Sequence, residues 1–189
     1  MKQCALLIID MQNDFVRDGA PLQVAQARAV IPGIRTVLQQ FRNRHLPVFH
    51  VLRVHRADGS DVEIIRQDLF RVQPFAVEGT KGAAVIDELL PLPGEYVIKK
   101  TRMSAFLGTE LDLMLRTLNV QSLVVTGIQT PNCIRTTVFD AIALNYPVVV
   151  VGDATGAKNG AIHAANLLDM ANIGVRILDS PEVAAYLEE

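Results

Sequence analysis

The sequence predicts an α/β fold, a three-layer sandwich with helices on both faces of a parallel sheet. Six short runs rich in Val, Ile and Leu alternate with segments whose apolar residues recur at helical spacing. The runs are apolar at successive positions rather than at every second one, as a strand is when both its faces are covered. Strand alternating with helix then implies right-handed crossovers and a layer of helices on each side.

The strands are expected at 4–9, 47–54, 95–99, 122–126, 147–151 and 175–178. Ile31, Ile34, Leu38 and Phe41 mark one helix by their 3–4 spacing, and Leu111, Leu115 and Leu118 mark another. Further helices are expected at 84–90, 132–144 and 161–170, and Ser180-Pro181 reads as the N-cap and first residue of a last one. The stretch 71–82 is punctuated by Gly and Pro and is expected as a loop over the site. With no repeat or linker, residues 1–189 read as one domain.

Half of the 189 residues are apolar, a fifth are charged and the net charge is −2, proportions suited to a globular domain with a real core. The apolar stretches are short and broken by Asp, Gly or Pro, so no membrane span is expected. The first run stops at Asp10, too short for a secretory core segment, which makes the cytoplasm the expected compartment. Arg and Lys are scattered, leaving no footprint for nucleic acid or an anionic membrane. The expected partner is a small molecule.

Open parallel sheets bind ligands beyond the carboxyl ends of their strands, so polar residues that follow apolar runs are the candidates. Asp10 follows the first run, Lys100 the third and Cys133 the fourth. Each has a plainer reading as well. Asp10 suits a turn or cap, the Lys99-Lys100 pair suits a solvated strand end, and a lone Cys133 suits a small core residue. Alternation allows one lysine of the pair to face the crevice.

The position of Cys133 strengthens the chemical reading. Thr130 and Pro131 read as N-cap and N1 of a helix, which puts Cys133 at N3, where the helix terminus would lower a thiol pKa. A Thr130 cap would also claim the Cys133 N–H. Cys4, at the other end of the first strand, lies too far away for a disulfide and reads as core.

The segments ALLIIDMQNDF, VIKKTRMSAF and VVTGIQTPNCIRTTVFDA, in that order, with DATGAKNGAIHAANLLDM near the C-terminus, resemble the isochorismatase-like cysteine hydrolases. That family includes nicotinamidases, N-carbamoylsarcosine amidohydrolase and ureidoacrylate amidohydrolase. The resemblance implies a six-stranded parallel, Rossmann-like sheet of order 3-2-1-4-5-6 and a catalytic triad of Asp10, Lys100 and Cys133, with the K-x-x-x-SAF spacing selecting Lys100 over Lys99. It further implies an oxyanion hole from the backbone N–H groups of Gln129 and Cys133, a cis peptide between Ile128 and Gln129, no cofactor, and assembly into dimers or tetramers. The chemistry would be thiolate attack on a small amide, a thioester, and its hydrolysis. Vinyl ether hydrolysis without the thiol, or a binding module that keeps the fold, are the alternatives.

Nicotinamidases of this family bind Zn²⁺ through an Asp-x-His pair and a further His after the second strand. The matching stretch here, HVLRVHRADGSD, has no Asp-x-His, and His50 and His55 are five apart and so face opposite sides of one strand. No metal site is expected. Arg53 and His55 share a face and could hold a carboxylate or carbonyl of the substrate, or be solvated at the edge. Phe15 and Phe106 could wall the pocket or belong to the core. Ser60 and Glu63 fit a capping box, Asp153 suits turn or cap work, and His163 reads as a surface or interface residue.

Overall fold

A computed structural model describes residues 3–189. Its strands are β1 (Cys4–Ile9), β2 (Val48–Arg53), β3 (Tyr96–Lys100), β4 (Ser122–Ile128), β5 (Val148–Gly156) and β6 (Arg176–Leu178). They form one six-stranded sheet of order β3-β2-β1-β4-β5-β6, and every pairing is parallel. β1, β2 and β4 are buried along their whole length, which explains their unbroken apolar sequence. β3 and β6 lie at the edges, and β3 alternates exposed and buried residues instead.

The helices are α1 (Asn13–Val16), α2 (Ile31–Asn43), α3 (Gln67–Val72), α4 (Leu111–Thr117), α5 (Arg135–Ala143), α6 (Gly160–Asn172) and α7 (Val183–Tyr186). They pack on the two faces that strand alternation creates. Leu6 and Ile8 of β1 meet Ile34, Val37 and Phe41 of α2 in one core. Leu7 and Ile9 point the other way, into a second core with Leu111 and Leu115 of α4 and Val138 of α5. Each core buries well over a dozen apolar side chains, and at roughly 1.5–3 kcal/mol per large side chain this burial is the main force holding the layers together.

Four local expectations are corrected. Residues 84–90 form no α-helix, because Val85 pairs with Gln12 and the Ile86 N–H donates to the Met11 carbonyl; a 3₁₀ turn at Asp87–Leu89 is what is left. The helix expected at 132–144 begins at Arg135, after a wider π-helical turn at Thr130–Ile134 in which the Ile134 N–H reaches back to the Gln129 carbonyl. Ser180 does not cap α7; its N–H and hydroxyl both donate to the Asp153 carboxylate, at 2.7 and 2.6 Å. Ser60 and Glu63 form no capping box, since the Ser60 N–H donates to Asp58 and the Glu63 carboxylate is drawn to Arg53.

Close approach of β1 and β4 is secured by Gly127. Its φ is +107°, and a Cβ there would lie 2.2 Å from the Ile9 carbonyl oxygen, so neither the backbone angle nor the space admits a side chain. The next residue after Ile9 turns sharply as well. Asp10 sits at φ 56°, a left-handed conformation that Asp tolerates better than most residues at a cost of about 1–2 kcal/mol. The bend carries the Asp10 carboxylate out of the strand ladder at the sheet's carboxyl edge.

Candidate active site

Three strand ends and one turn deliver the central side chains. Asp10 follows β1, Arg53 closes β2, Lys100 closes β3, and Cys133 lies in the turn after β4. All four are buried, none more than 5% exposed. Lys100 Nζ is 3.0 Å from Asp10 Oδ2 and 3.5 Å from Cys133 Sγ, and it also donates to the Arg102 carbonyl at 3.1 Å. Its neighbour Lys99 points outward to Glu78 at 2.7 Å. Period-two alternation thus separates the two lysines as a strand requires.

Electrostatics around the sulfur run opposite to the helix-terminus expectation. Burial pushes the Cys133 thiol above its ordinary pKa, the Asp10 charge pushes the same way, and Lys100 and Arg53 pull against them. Burial is the largest of these contributions, and Cys133 lies in a π-helical turn rather than at N3 of a regular helix. The Asp10 Oδ1 atom is buried and without a hydrogen-bond partner among the described residues, an acceptor suited to a proton from the resting thiol.

Thr130 does not hold the Cys133 amide either. Its hydroxyl pairs with His163 Nδ1 at 2.8 Å, and burial lowers the His163 pKa, which favours a neutral ring. His163 therefore has a partner rather than a free surface role. The peptide between Ile128 and Gln129 is cis, as the resemblance implies.

A cavity of about 440 Å³ opens beside these groups. Asp10, Cys133, Gln129, Arg53 and Phe15 line it, with Arg66 and Lys158 as further cations and Leu69 and Ile162 as apolar walls. Two expected lining residues are elsewhere. His55 is packed edge-on to the rings of Phe70 and Phe75 and contacts Asp61 at 3.3 Å; it lies beyond the end of β2, where strand alternation no longer governs direction. Phe106 is half-buried and stacks on Tyr146 against the core under α4 and α5. The stretch 71–82 does not roof the site: Ala76 bonds His55 and Asp14 instead, and Arg66 and Leu69, just before it, face the cavity.

The residues at the β2 end do not suit a metal ion. Arg53 places a guanidinium 3.7 Å from the sulfur, where it would repel a dication, and His50 is turned to Glu95 at 2.9 Å. No group of three His, Cys, Asp or Glu side chains is gathered for a metal among the described residues.

An isochorismatase domain model matches residues 4–182. The chain belongs to the isochorismatase family. An isochorismatase family protein from Desulfovibrio vulgaris superimposes with a TM-score of 0.96 at 44% identity, covering 100% of both chains. N-carbamoylsarcosine amidase from Thermoplasma acidophilum superimposes with a TM-score of 0.80 at 31% identity, over 95% of this chain and 97% of its own. A probable inactive nicotinamidase of Arabidopsis thaliana is 45% identical over 193 residues, spanning 100% of this chain and 96% of the relative. Among the described residues no helix is long and apolar enough to cross a membrane.

Sequence reasoning missed Glu63, Arg66 and Lys158. Lys158 lies two residues past the end of β5 but seven past the apolar run at 147–151, so the run by itself did not point to it. Nothing local distinguished Glu63 from a helix cap.

Proposed function

We propose that this chain, residues 1–189 acting as one domain, is a cofactor-independent cysteine hydrolase that cleaves a C–N bond of a small amide or ureido compound. Asp10, Lys100 and Cys133 are its catalytic residues. The observation that carries the reading is the Lys100 ammonium, bonded at once to the Asp10 carboxylate and the Cys133 sulfur beside a cavity of substrate size.

The thiol is held protonated at rest, so attack needs a base. Asp10 Oδ1 takes the proton, and the sulfur adds to the carbonyl carbon. The oxyanion is received by the backbone N–H groups of Gln129 and Cys133, a contribution worth about 2.7–4 kcal/mol per donor in related chemistry. Protonated Asp10 then gives its proton to the leaving amine. Water, deprotonated by Asp10, cleaves the thioester and restores the thiol. Lys100 stays protonated throughout and keeps Asp10 and the sulfur in register.

Arg66 and Lys158 face the cavity as cations additional to the Arg53–Glu63 and Lys100–Asp10 pairs. This balance favours a substrate with a negative charge or an electron-rich carbonyl, and Phe15 supplies apolar wall. The relatives named as amidases support the class. The name of the Arabidopsis relative favours a second reading, a binding module that retains the fold without turnover; vinyl ether hydrolysis without the thiol is a third. The proposal includes a cytoplasmic location and assembly into dimers or tetramers.

Ammonia release across a panel of small carboxamides and ureido acids is the deciding experiment. Release by the parent protein and none by Cys133→Ala supports the thioester route. Equal release by both removes the nucleophile from the scheme, and release by neither, with tight binding retained, favours the binding module.

A further inference from the structure

Arg53 is a candidate for substrate binding on its position, but its surroundings assign it a different task. It is the largest fully buried side chain among the described residues. Its peptide is clamped by Gln12, whose Oε1 accepts the Arg53 N–H at 2.8 Å and whose Nε2 donates to the Arg53 carbonyl at 2.7 Å. Nη1 donates to Glu63 Oε1 at 2.5 Å and to the Thr101 carbonyl at 3.4 Å. Nη2 is directed at Cys133 Sγ, 3.7 Å away.

One carboxylate suffices to neutralise a guanidinium, and Glu63 provides it. The second nitrogen of the fork is nevertheless spent on sulfur. A thiol is a poor acceptor and a thiolate a good one, so this contact gains strength only when the proton leaves Cys133. Arg53 is also the Cα partner of Lys100 across β2 and β3, which sets both cations on the same face of the sheet as Cys133.

We propose that Arg53 is a further catalytic residue, a second cation that stabilises the Cys133 thiolate together with Lys100, and that Glu63 is the positioning residue that aims it. The inference rests on the reading of Cys133 as nucleophile. In the step concerned the S–H bond breaks, the proton goes to Asp10 Oδ1, and the electron pair stays on sulfur. Arg53 keeps its protons and shares the new charge. Charged and titratable groups around the sulfur are Asp10 from the end of β1, Arg53 from β2 and Lys100 from β3, with Arg66 and Lys158 across the cavity and Glu63 and His55 beside Arg53. Arg53 pulls the Cys133 pKa down against burial and Asp10.

The test is the pH profile of Cys133 alkylation by iodoacetamide, a neutral probe that needs no turnover, read at the Cys133 peptide by mass spectrometry. Arg53→Gln should move the midpoint up by at least about one unit, a tenfold slower reaction at fixed pH below it. Arg53→Lys, which keeps the charge, should recover part of that loss. Should Arg53→Gln fail to fold, as a shifted thermal midpoint would reveal, the double variant Arg53→Gln/Glu63→Gln leaves a neutral hydrogen-bonded pair and carries the same expectation. A midpoint unchanged in whichever variant folds overturns the inference, and a raised KM alongside it would return Arg53 to substrate binding. Because alkylation is read without substrate, failure of every amide in the panel would count against the hydrolase and not against this role.

Discussion

Arg53 and Lys100 stand opposite each other on one rung between β2 and β3, and from that rung both reach the Cys133 sulfur, at 3.7 and 3.5 Å. Two buried cations so placed would repel strongly in a low-dielectric interior. They are held by carboxylates from outside the rung, Glu63 for Arg53 and Asp10 for Lys100. Against the upward push of burial, Arg53 holds the Glu63 carboxyl below its ordinary range. The site is thus a four-charge network with a thiol at its centre.

Replacing Asp10 by Asn should separate two properties of that thiol. Loss of the base is expected to lower hydrolysis by about 10²–10⁴-fold. Loss of the negative charge, which raises the Cys133 pKa, should make the thiol easier to ionise. Alkylation below the midpoint should therefore become faster while turnover becomes slower, and the two rates measured on one preparation check it.

The two phenylalanines should part company. Phe15 lines the cavity and is also buried in the core shared with α2, so Phe15→Ala is expected to raise KM for the best amide of the panel several-fold and to lower stability as well. Phe106 stacks on Tyr146 with ring centroids 6.2 Å apart, so Phe106→Ala should cost about 1 kcal/mol or more of stability with KM unchanged. Steady-state kinetics and urea unfolding distinguish the outcomes.

Acid should weaken the fold partly through Glu95. Burial pushes this carboxyl up, yet hydrogen bonds from Arg42, the Leu92 N–H and His50 prevail and hold its pKa at about 2 against an ordinary 4.5. A folded pKa below the unfolded one gives stability that is fully present above about pH 4.5 and is lost as pH falls through the folded value near 2. The contribution at neutral pH is at most about 3 kcal/mol, before solvent screening of the partly exposed carboxylate reduces it. Glu95→Gln should lose it at pH 7, and the gap between parent and variant should shrink as unfolding is measured at successively lower pH towards 2.5.

Gly127→Ala should be among the most damaging single changes. The new methyl would meet the Ile9 carbonyl at 2.2 Å at a φ of +107°, and separating β1 from β4 would displace both Asp10 and Cys133. A loss of roughly 3 kcal/mol or more is expected, with slower hydrolysis in whatever folds. A variant as stable as the parent would contradict this placement of the backbone.

Much of the frame was legible along the chain. The run ending at Ile9 and the 3–4 spacing of Ile34, Leu38 and Phe41 announced a strand and a helix, because each pattern reflects which neighbours one face must meet. Boundaries were less legible: β5 continues to Gly156, past the apolar run, and the helix after Cys133 starts late because Ile134 bonds back to Gln129. Local pattern also misjudged Glu63, whose spacing from Ser60 suits a cap although its carboxylate is claimed by a guanidinium ten residues earlier.

By itself the sequence determined the layered α/β frame and, through residue order at the strand exits, singled out Asp10, Lys100 and Cys133. Tertiary structure decided the rest: which face Arg53 occupies, that His55 and Phe106 turn away from the cavity, that Thr130 answers to His163, and that burial raises the thiol pKa. The division has a physical cause. Strand and helix periodicity is a property of near neighbours along the chain, whereas charge balance at the sulfur depends on inter-strand register and on desolvation, and both exist only after distant segments have packed together.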